Sequence, residues 1–454
     1  MVGAGASGTL AAVHLLRKRR ARVILIDPDE PGLGVAYSTR DEDHLLNVRA
    51  CAMSGLAEDP DDFVDWCRVK NVKAGPDDYL PRRLYGVYLQ ELLERFGGHG
   101  QLQLVRGLVD DVAEPASGEG VRLTLTDGRV LSADAAILAL GNAPPGPIET
   151  IPGHLGAAVI DDPWAPDALS RVAGAGRVAI IGTGLTAVDI TMSTAAANPD
   201  THVSAISRHG WLPRAHLPGP AGPLTELRLE SGSSLDEILS AVQAAVTAQP
   251  DGWRDVVDGL RPHTCRLWQE LQPAERLRFD RELRSWWDVH RHRVAPPVAA
   301  RLDQLCRSRR IDIHAGGVRG IQASAGGGVS VTLGDGSEIG ADVVVNATGP
   351  ARALHASSNP LMRRLLNSGR ARTDELGIGF ATDAAGALID QSGLVSRRYF
   401  TLGPPRRGDL LESVAVPEIR TQAAQLARVL TEDSDSATAP GPLRRRMTST
   451  DTRV

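Results

Sequence analysis

Two hydrophobic periods alternate along the chain, and the alternation occurs twice. Apolar residues at helical spacing run from Ala11 to Arg20, and ARVILID, ending at Asp27, is a short branched run suited to a strand buried on both faces. Tyr79 to Leu93 predicts a helix that gathers Leu84, Tyr85, Tyr88, Leu89, Leu92 and Leu93 into core contacts. LQLVRGLVDDVAE and GVRLTLTDGRVLSADAAILALG predict short strands around a DG turn, then an apolar strand entering a glycine loop. Strands return at Arg177 to Ile181 and in VSAISRHG, and again in IDIHAGGV, VSVTLGDGSEI and ADVVVNATG. Between Trp211 and Pro297 the strand pattern is suspended in favour of helices such as LDEILSAVQAAV and RLRFDRELRSWWDVHRHR. A helix restarts at Pro296 and Pro297, and a last one begins near Val416 or Pro417.

Glycine spacing gives this pattern a chemistry. Gly3, Gly5 and Gly8 form a fingerprint whose glycines permit a tight turn, close approach of a pyrophosphate and close helix packing; Asp27, ending the next strand, suits a ribose hydroxyl. Almost nothing precedes Gly3, although the motif needs a central strand before it, so the reading expects that strand to begin upstream of residue 1. Gly32 and Gly34 break the following segment into a loop near the nucleotide, where Asn47 either meets a polar cofactor edge or caps the loop. Arg82 and Arg83 reach an anion or form an ordinary solvated helix start.

A second fingerprint, Gly182, Gly184 and Ala187, does follow a strand. Where a site for unphosphorylated cofactor carries an acid, Ser207 and Arg208 suit a 2'-phosphate, favouring NADPH over NADH. Two such signals imply two nucleotides, and the natural pairing is a held flavin with a nicotinamide that reduces it. The expected fold is therefore α/β, with two dinucleotide-binding, Rossmann-like domains on parallel sheets plus a helical insertion. Residues 1–150 and 350–430 form a discontinuous FAD-binding domain, and 151–212 and 298–349 an NAD(P)-binding domain. Residues 213–297 form a cap, and 431–454 a disordered tail.

Within the insertion, Trp286, Trp287, His290, Arg291, His292 and Arg293 form the most informative cluster, and Trp286, Trp287, His290, Arg291 and His292 are its candidate substrate-facing group: Trp286 and His290 are four apart, as are Trp287 and Arg291, so they line neighbouring helical faces. A tryptophan stacks on a planar substrate and a guanidinium pairs with an anion. The competing reading makes the tryptophans core residues and gives the arginines local acids such as Asp288. No metal site is expected, because His290 and His292 diverge on a helix and no acidic or cysteine partner has ligand spacing.

Composition narrows the field. The 454 residues are 42% hydrophobic, enough for two or three domains, and the net charge of -5 gives no general electrostatic case for nucleic acid or an anionic membrane. Cys51, Cys67, Cys265 and Cys306 form no CxxC pair. With no spanning apolar stretch and no signal peptide, a cytoplasmic protein is expected, and homo-oligomerisation stays open. No Ser-His-Asp, HExxH or paired-carboxylate arrangement competes for the chemistry, and no catalytic residue is assigned.

GAGASG, PGLGVAY with HLLNVRA, GTGLTAVD, WDVHRHR, NATG and LGPPRRGDLLESVAVPEIRTQA together resemble a bacterial family of FAD/NAD(P)-binding flavoproteins that includes FAD-dependent urate hydroxylase. More distantly the chain is similar to amine and amino-acid N-hydroxylases. The resemblance, over roughly residues 1 to 430, implies FAD on Gly3, Gly5, Gly8 and Asp27, with the Gly34 to Asn47 loop and Gly408 to Asp409 closing around it. It implies NADPH on Gly182, Gly184, Ala187 and Arg208, and the ATG ending at Gly349 marks a return to the flavin domain. The implied reaction is NADPH-driven hydroxylation of a small planar or amine-containing substrate by O2, through a flavin C4a-(hydro)peroxide. The alternatives are a flavin reductase or dehydrogenase without oxygen insertion, and a flavin-loaded sensor or scaffold.

Overall fold

The computed structural model describes residues 1–437 except 99, 117, 149–152, 221, 223, 228 and 325–326. The fold is α/β, built on two parallel sheets. In the first, Val23–Asp27 pairs parallel with Leu102–Arg106, and Ala136–Leu138 pairs parallel with Val395–Thr401, which in turn meets Ala387–Ile389 antiparallel. Val2 bridges Ile26 on one side and Leu138 on the other, so Met1 to Gly3 fill the central slot. Gly3 N–H donates to Ile26 O at 2.9 Å, Val2 N–H to Ile137 O at 2.9 Å and Ala139 N–H to Val2 O at 2.8 Å. These bonds hold the glycine turn directly after the central position of the sheet. The Met1 amine donates to Ile24 O at 2.6 Å, and burial pushes its pKa down to about 5.

Helices Ala6–Arg17, Arg82–Phe96 and Val416–Ala437 cover one face of this sheet. Their contact is apolar, with Leu10, Val13, Leu89 and Leu426 essentially inaccessible. Tyr85 and Tyr88 are core residues, as their helical spacing predicts; Tyr88 Oη donates to Asp62 at 2.5 Å and accepts from Gly55 N–H at 2.9 Å. The last helix begins at Val416 as expected but continues to Ala437, beyond Thr431 where the sequence suggests fraying; the rest of that tail, 438–454, lies outside the described residues.

The second sheet has five parallel strands in the order Ile311–His314, His202–Ile206, Arg177–Ile181, Val343–Asn346 and Val159–Ile160. Val178, Ile180, Val344 and Val345 are fully covered, which accounts for the unbroken apolar runs. Each sheet carries a three-stranded antiparallel meander, Val109–Ala113 to Val130–Ala133 in one case and Val318–Ala323 to Glu338–Ala341 in the other. Two crossing loops join the halves: Ala351 N–H donates to Pro144 O at 3.0 Å, and Asn346 Nδ2 to Gly146 O at 2.9 Å.

The insertion contains helices Leu235–Ala248, Trp253–Leu260, Thr264–Glu270, Pro273–Arg278 and Arg284–Arg291, with a π-helical turn at Phe279–Leu283. Ser234 and Glu237 close a capping box on the first of these. Val256, Val257, Leu260, Leu267 and Trp287 give the insertion its own core. Among the described residues no helix is long and apolar enough to cross a membrane.

Candidate functional site

The first glycine turn is built for close backbone approach. A Cβ on Gly3, which has φ +95°, would stand 2.3 Å from Ala139 O, and one on Gly8 would stand 1.9 Å from Gly3 O. Gly5 caps helix Ala6–Arg17 with no side chain bonded to the first amides and no acid in the first turn, which leaves those N–H groups for an anion. Asp27 Oδ2 accepts from Ala4 N–H at 2.6 Å and Oδ1 from Asp29 N–H at 2.9 Å, fixing the acid beside the turn. Gly34 folds back here: a Cβ on it would lie 2.9 Å from Gly5 Cα. Gly34 opens a one-turn helix, Gly34–Tyr37, rather than a loop. These features fit a dinucleotide pyrophosphate.

The second turn repeats the design. A Cβ on Gly182 would meet Ala347 O at 2.2 Å, whereas Gly184 has nothing within 4 Å and caps Leu185–Ala197 with no side chain on its amides. Ala187 is buried in the first turn of that helix, where a third glycine would stand. Thr183 Oγ1 donates to Trp211 O at 2.6 Å and contacts Ser207 Oγ at 2.9 Å, tying the turn to the end of the next strand. Arg208 is exposed there and donates to Ser285 Oγ at 3.0 Å, with the His209 and Trp211 rings stacked 4.4 Å apart nearby. Gly349, at φ +85°, sits on the return loop with open space around it.

The cap cluster divides. Trp287 faces the core, and Arg291 is buried in a two-pronged pair with Glu412, at 2.7 and 2.5 Å. That guanidinium is already matched, so Arg291 is not free for a substrate anion. His292 lies 3.8 Å from Asp288, and burial pushes its pKa down to about 4. Trp286 and His290 are the outward pair, stacked at 4.2 Å, with Trp253 edge-on to His290. His290 Nδ1 also contacts Trp286 O at 2.8 Å, within the same turn.

Gly408 and Asp409 have internal partners. A Cβ on Gly408 would lie 2.0 Å from the Asp374 carboxylate, Gly408 O accepts from Trp268 Nε1 at 2.6 Å, and Asp409 Oδ2 accepts from both Thr382 N–H and Thr382 Oγ1 at 2.7 Å. Leu411 follows at φ +58°, and Ser413 Oγ is buried without a partner among the described residues. Strain and an orphaned hydroxyl just before the N-terminus of helix Val416–Ala437 mark this segment as constrained by more than packing. The sequence reading missed Glu412 and Ser413; only the ES after RRGDLL signalled them.

Between the halves runs a polar seam. Arg82 pairs with Asp189 at 2.5 Å instead of awaiting an anion, and Arg83 pairs with Glu42. His44 Nε2 contacts Asp189 O at 3.2 Å and Ser193 Oγ at 2.8 Å. Burial raises the Asp189 pKa, and Arg82 opposes it. Asn47 contributes its carbonyl, which accepts from His216 Nε2 at 3.0 Å. Arg293 belongs to the arginine- and tryptophan-rich cluster already visible in the sequence, whereas Tyr79 and His216 were not singled out, because nothing local brings positions so far apart together.

Residues 1–143 match the FAD-NAD(P)-binding family. Curated protein sequences give no match. Among solved structures the chain is similar to the ornithine hydroxylase of Pseudomonas aeruginosa, at 18% identity and TM-score 0.64, covering 95% of this chain and 98% of that one. The ornithine N-hydroxylase of Kutzneria sp. 744, solved with reduced FAD, NADP+ and L-ornithine, gives 15% identity and TM-score 0.62 over 95% and 98%. The FAD-bound cadaverine monooxygenase of Erwinia amylovora gives 14% and 0.63 over 94% and 92%. The chain has the two-unit fold of these flavin-dependent hydroxylases over nearly its whole length.

Proposed function

We propose that this protein is an FAD-dependent, NADPH-reduced monooxygenase that hydroxylates a small substrate with O2. The observation that carries the reading is a pair of glycine turns, each ending in helix amides bare of side-chain caps, within a fold shared end to end with N-hydroxylases. The Ala6 and Ser7 amides face the FAD pyrophosphate, Gly3, Gly5 and Gly8 admit it, and Asp27 takes the ribose. Gly34 and Asn47 flank the flavin. Gly182, Gly184 and Ala187 admit NADPH, and Arg208, steadied by Ser285, takes its 2'-phosphate. Gly408 and Asp409 act as positioning residues that hold the segment before Val416 against the cap. When bound, the flavin supplies hydride acceptance from NADPH and activation of O2. The cap shields that chemistry from water, and Arg291 with Glu412 locks it to the C-terminal segment.

Anaerobic titration of the FAD-loaded protein with NADPH tests the first half: the flavin absorbance bleaches, and NADH bleaches it less efficiently. Admitting labelled oxygen with candidate substrates tests the second, with one labelled atom appearing in product. Bleaching without label in any product overturns the monooxygenase reading in favour of a reductase.

A further inference from the structure

Two buried donors in the seam have no partner among the described residues. Arg293 is 2% exposed, and its Nη2 pairs with Asp258, yet its Nε lacks a partner among the described residues. The Tyr79 hydroxyl is likewise buried and unpartnered. Both belong to one cluster. The Tyr79 ring lies against His216 at 5.1 Å, with Arg49 5.6 Å from the Tyr79 ring centre; His216 N–H donates to Val294 O at 3.0 Å, which brings the neighbouring Arg293 to the same place, 5.8 Å from the Trp253 ring centre. One wall is the Asn47 to Arg49 loop, and the other is the cap. Arg49 clamps the two together by donating to Leu217 O and Gly219 O at 3.2 Å each.

The protonation states are those of a donor site. Burial pushes Tyr79 up to about 12, so it keeps its proton at neutral pH. Burial pushes His216 down to about 4, so it is neutral, with its Nε2 proton on Asn47 O. Buried donors without acceptors are rare in folded proteins, and their acceptor is supplied by an ordered water, an ion or a bound ligand group. Arg293 Nε can only donate, Tyr79 Oη can turn its proton toward an acceptor, and with Asp258 already paired to Arg293 the neighbouring guanidinium of Arg49 leaves the cluster basic, which suits an oxyanion and disfavours an ammonium.

We propose that Arg293 Nε and Tyr79 Oη form the anion-holding end of the substrate site, taking an oxygen of a small planar organic acid between the Asn47 loop and the cap. This rests on the monooxygenase reading and narrows its substrate to an anion, in place of the diamine that the fold alone suggests.

The test uses the FAD-loaded full chain and calorimetric titration with benzoate as anionic probe and cadaverine as cationic probe. Benzoate is expected to bind, and cadaverine to bind about tenfold more weakly or worse. Tyr79→Phe removes a hydroxyl that has no protein partner, so the unliganded melting temperature stays unchanged while benzoate affinity falls about tenfold, the loss of one hydrogen bond to a charged group. Arg293→Lys keeps a charge for Asp258 but loses the Nε donor, and also weakens benzoate. The inference is overturned if wild type ignores benzoate, if cadaverine binds as tightly, if Tyr79→Phe binds benzoate like wild type, or if that variant melts lower. Bleaching by NADPH, measured on the same preparations, separates the two claims. Intact bleaching without benzoate binding sinks the anion site alone, whereas absent bleaching sinks the functional reading whatever benzoate does.

Discussion

Replacing Arg291 by alanine removes the cation that matches Glu412. Side-chain exposures of 10% and 7% place the pair inside the protein, with bonds of 2.7 and 2.5 Å joining the last turn of Arg284–Arg291 to the segment before Val416. Removing one partner leaves the other charge desolvated, which destabilises by about 3–5 kcal/mol, far more than an exposed pair contributes. Replacing both partners by apolar residues of similar size, Arg291→Met with Glu412→Leu, leaves no stranded charge and is expected to cost about 1 kcal/mol or less, or to stabilise. Urea unfolding followed by tryptophan fluorescence suits the measurement, because Trp253, Trp268, Trp286 and Trp287 all lie in the insertion. A loss below about 1 kcal/mol in the single variant would refute the argument. So would a double variant as unstable as the single one, since the cost would then belong to packing.

Further consequences follow from the same geometry. Gly184→Ala adds a methyl with nothing within 4 Å at an ordinary φ of −78°, so the protein folds normally, yet NADP+ affinity falls by about tenfold or more as the methyl blocks phosphate approach; unchanged calorimetric affinity argues against this turn as the pyrophosphate site. Gly182→Ala, with Ala347 O 2.2 Å from the new atom and φ +124°, is expected to lower stability by about 1 kcal/mol or more as well, read from denaturation midpoints. Arg208→Ser reduces kcat/KM for NADPH about tenfold or more and leaves that for NADH nearly unchanged; an equal loss for both would place the 2'-phosphate elsewhere. Burial lowers the pKa values of His14, His216 and His292 from 6.5 to about 4. Between those values the unfolded chain takes up protons that the native state refuses, so stability falls as pH drops from 6.5 towards 4, by up to about 1.4 kcal/mol per pH unit for each histidine. Urea midpoints that rise on acidification across that window would contradict this burial.

The two glycine turns were legible in sequence because their requirement is local: a turn with no room for a Cβ, a helix without a cap, and an apolar strand alongside. The order of elements was legible for the same reason, since burial on both faces of a parallel strand dictates a continuous apolar run. Periodicity also placed Tyr85 and Tyr88 in the core. It could not say which face of Arg284–Arg291 turns inward, and tertiary packing decided that: Trp287 and Arg291 went to the core and to Glu412, and Trp286 and His290 stacked on the outer side against Trp253. Asp409 carries the residue type expected at a cofactor edge but is held by Thr382, a partner 27 positions away. Arg82 likewise found Asp189 across the seam. The cluster of Tyr79, His216 and Arg293 exists only because the cap closes on the first unit, and chain positions so far apart carry no mutual signal. Local conformational demands are written in neighbouring residues. The pairing of buried charges and the stranding of buried donors are decided by which surfaces the folded chain presses together.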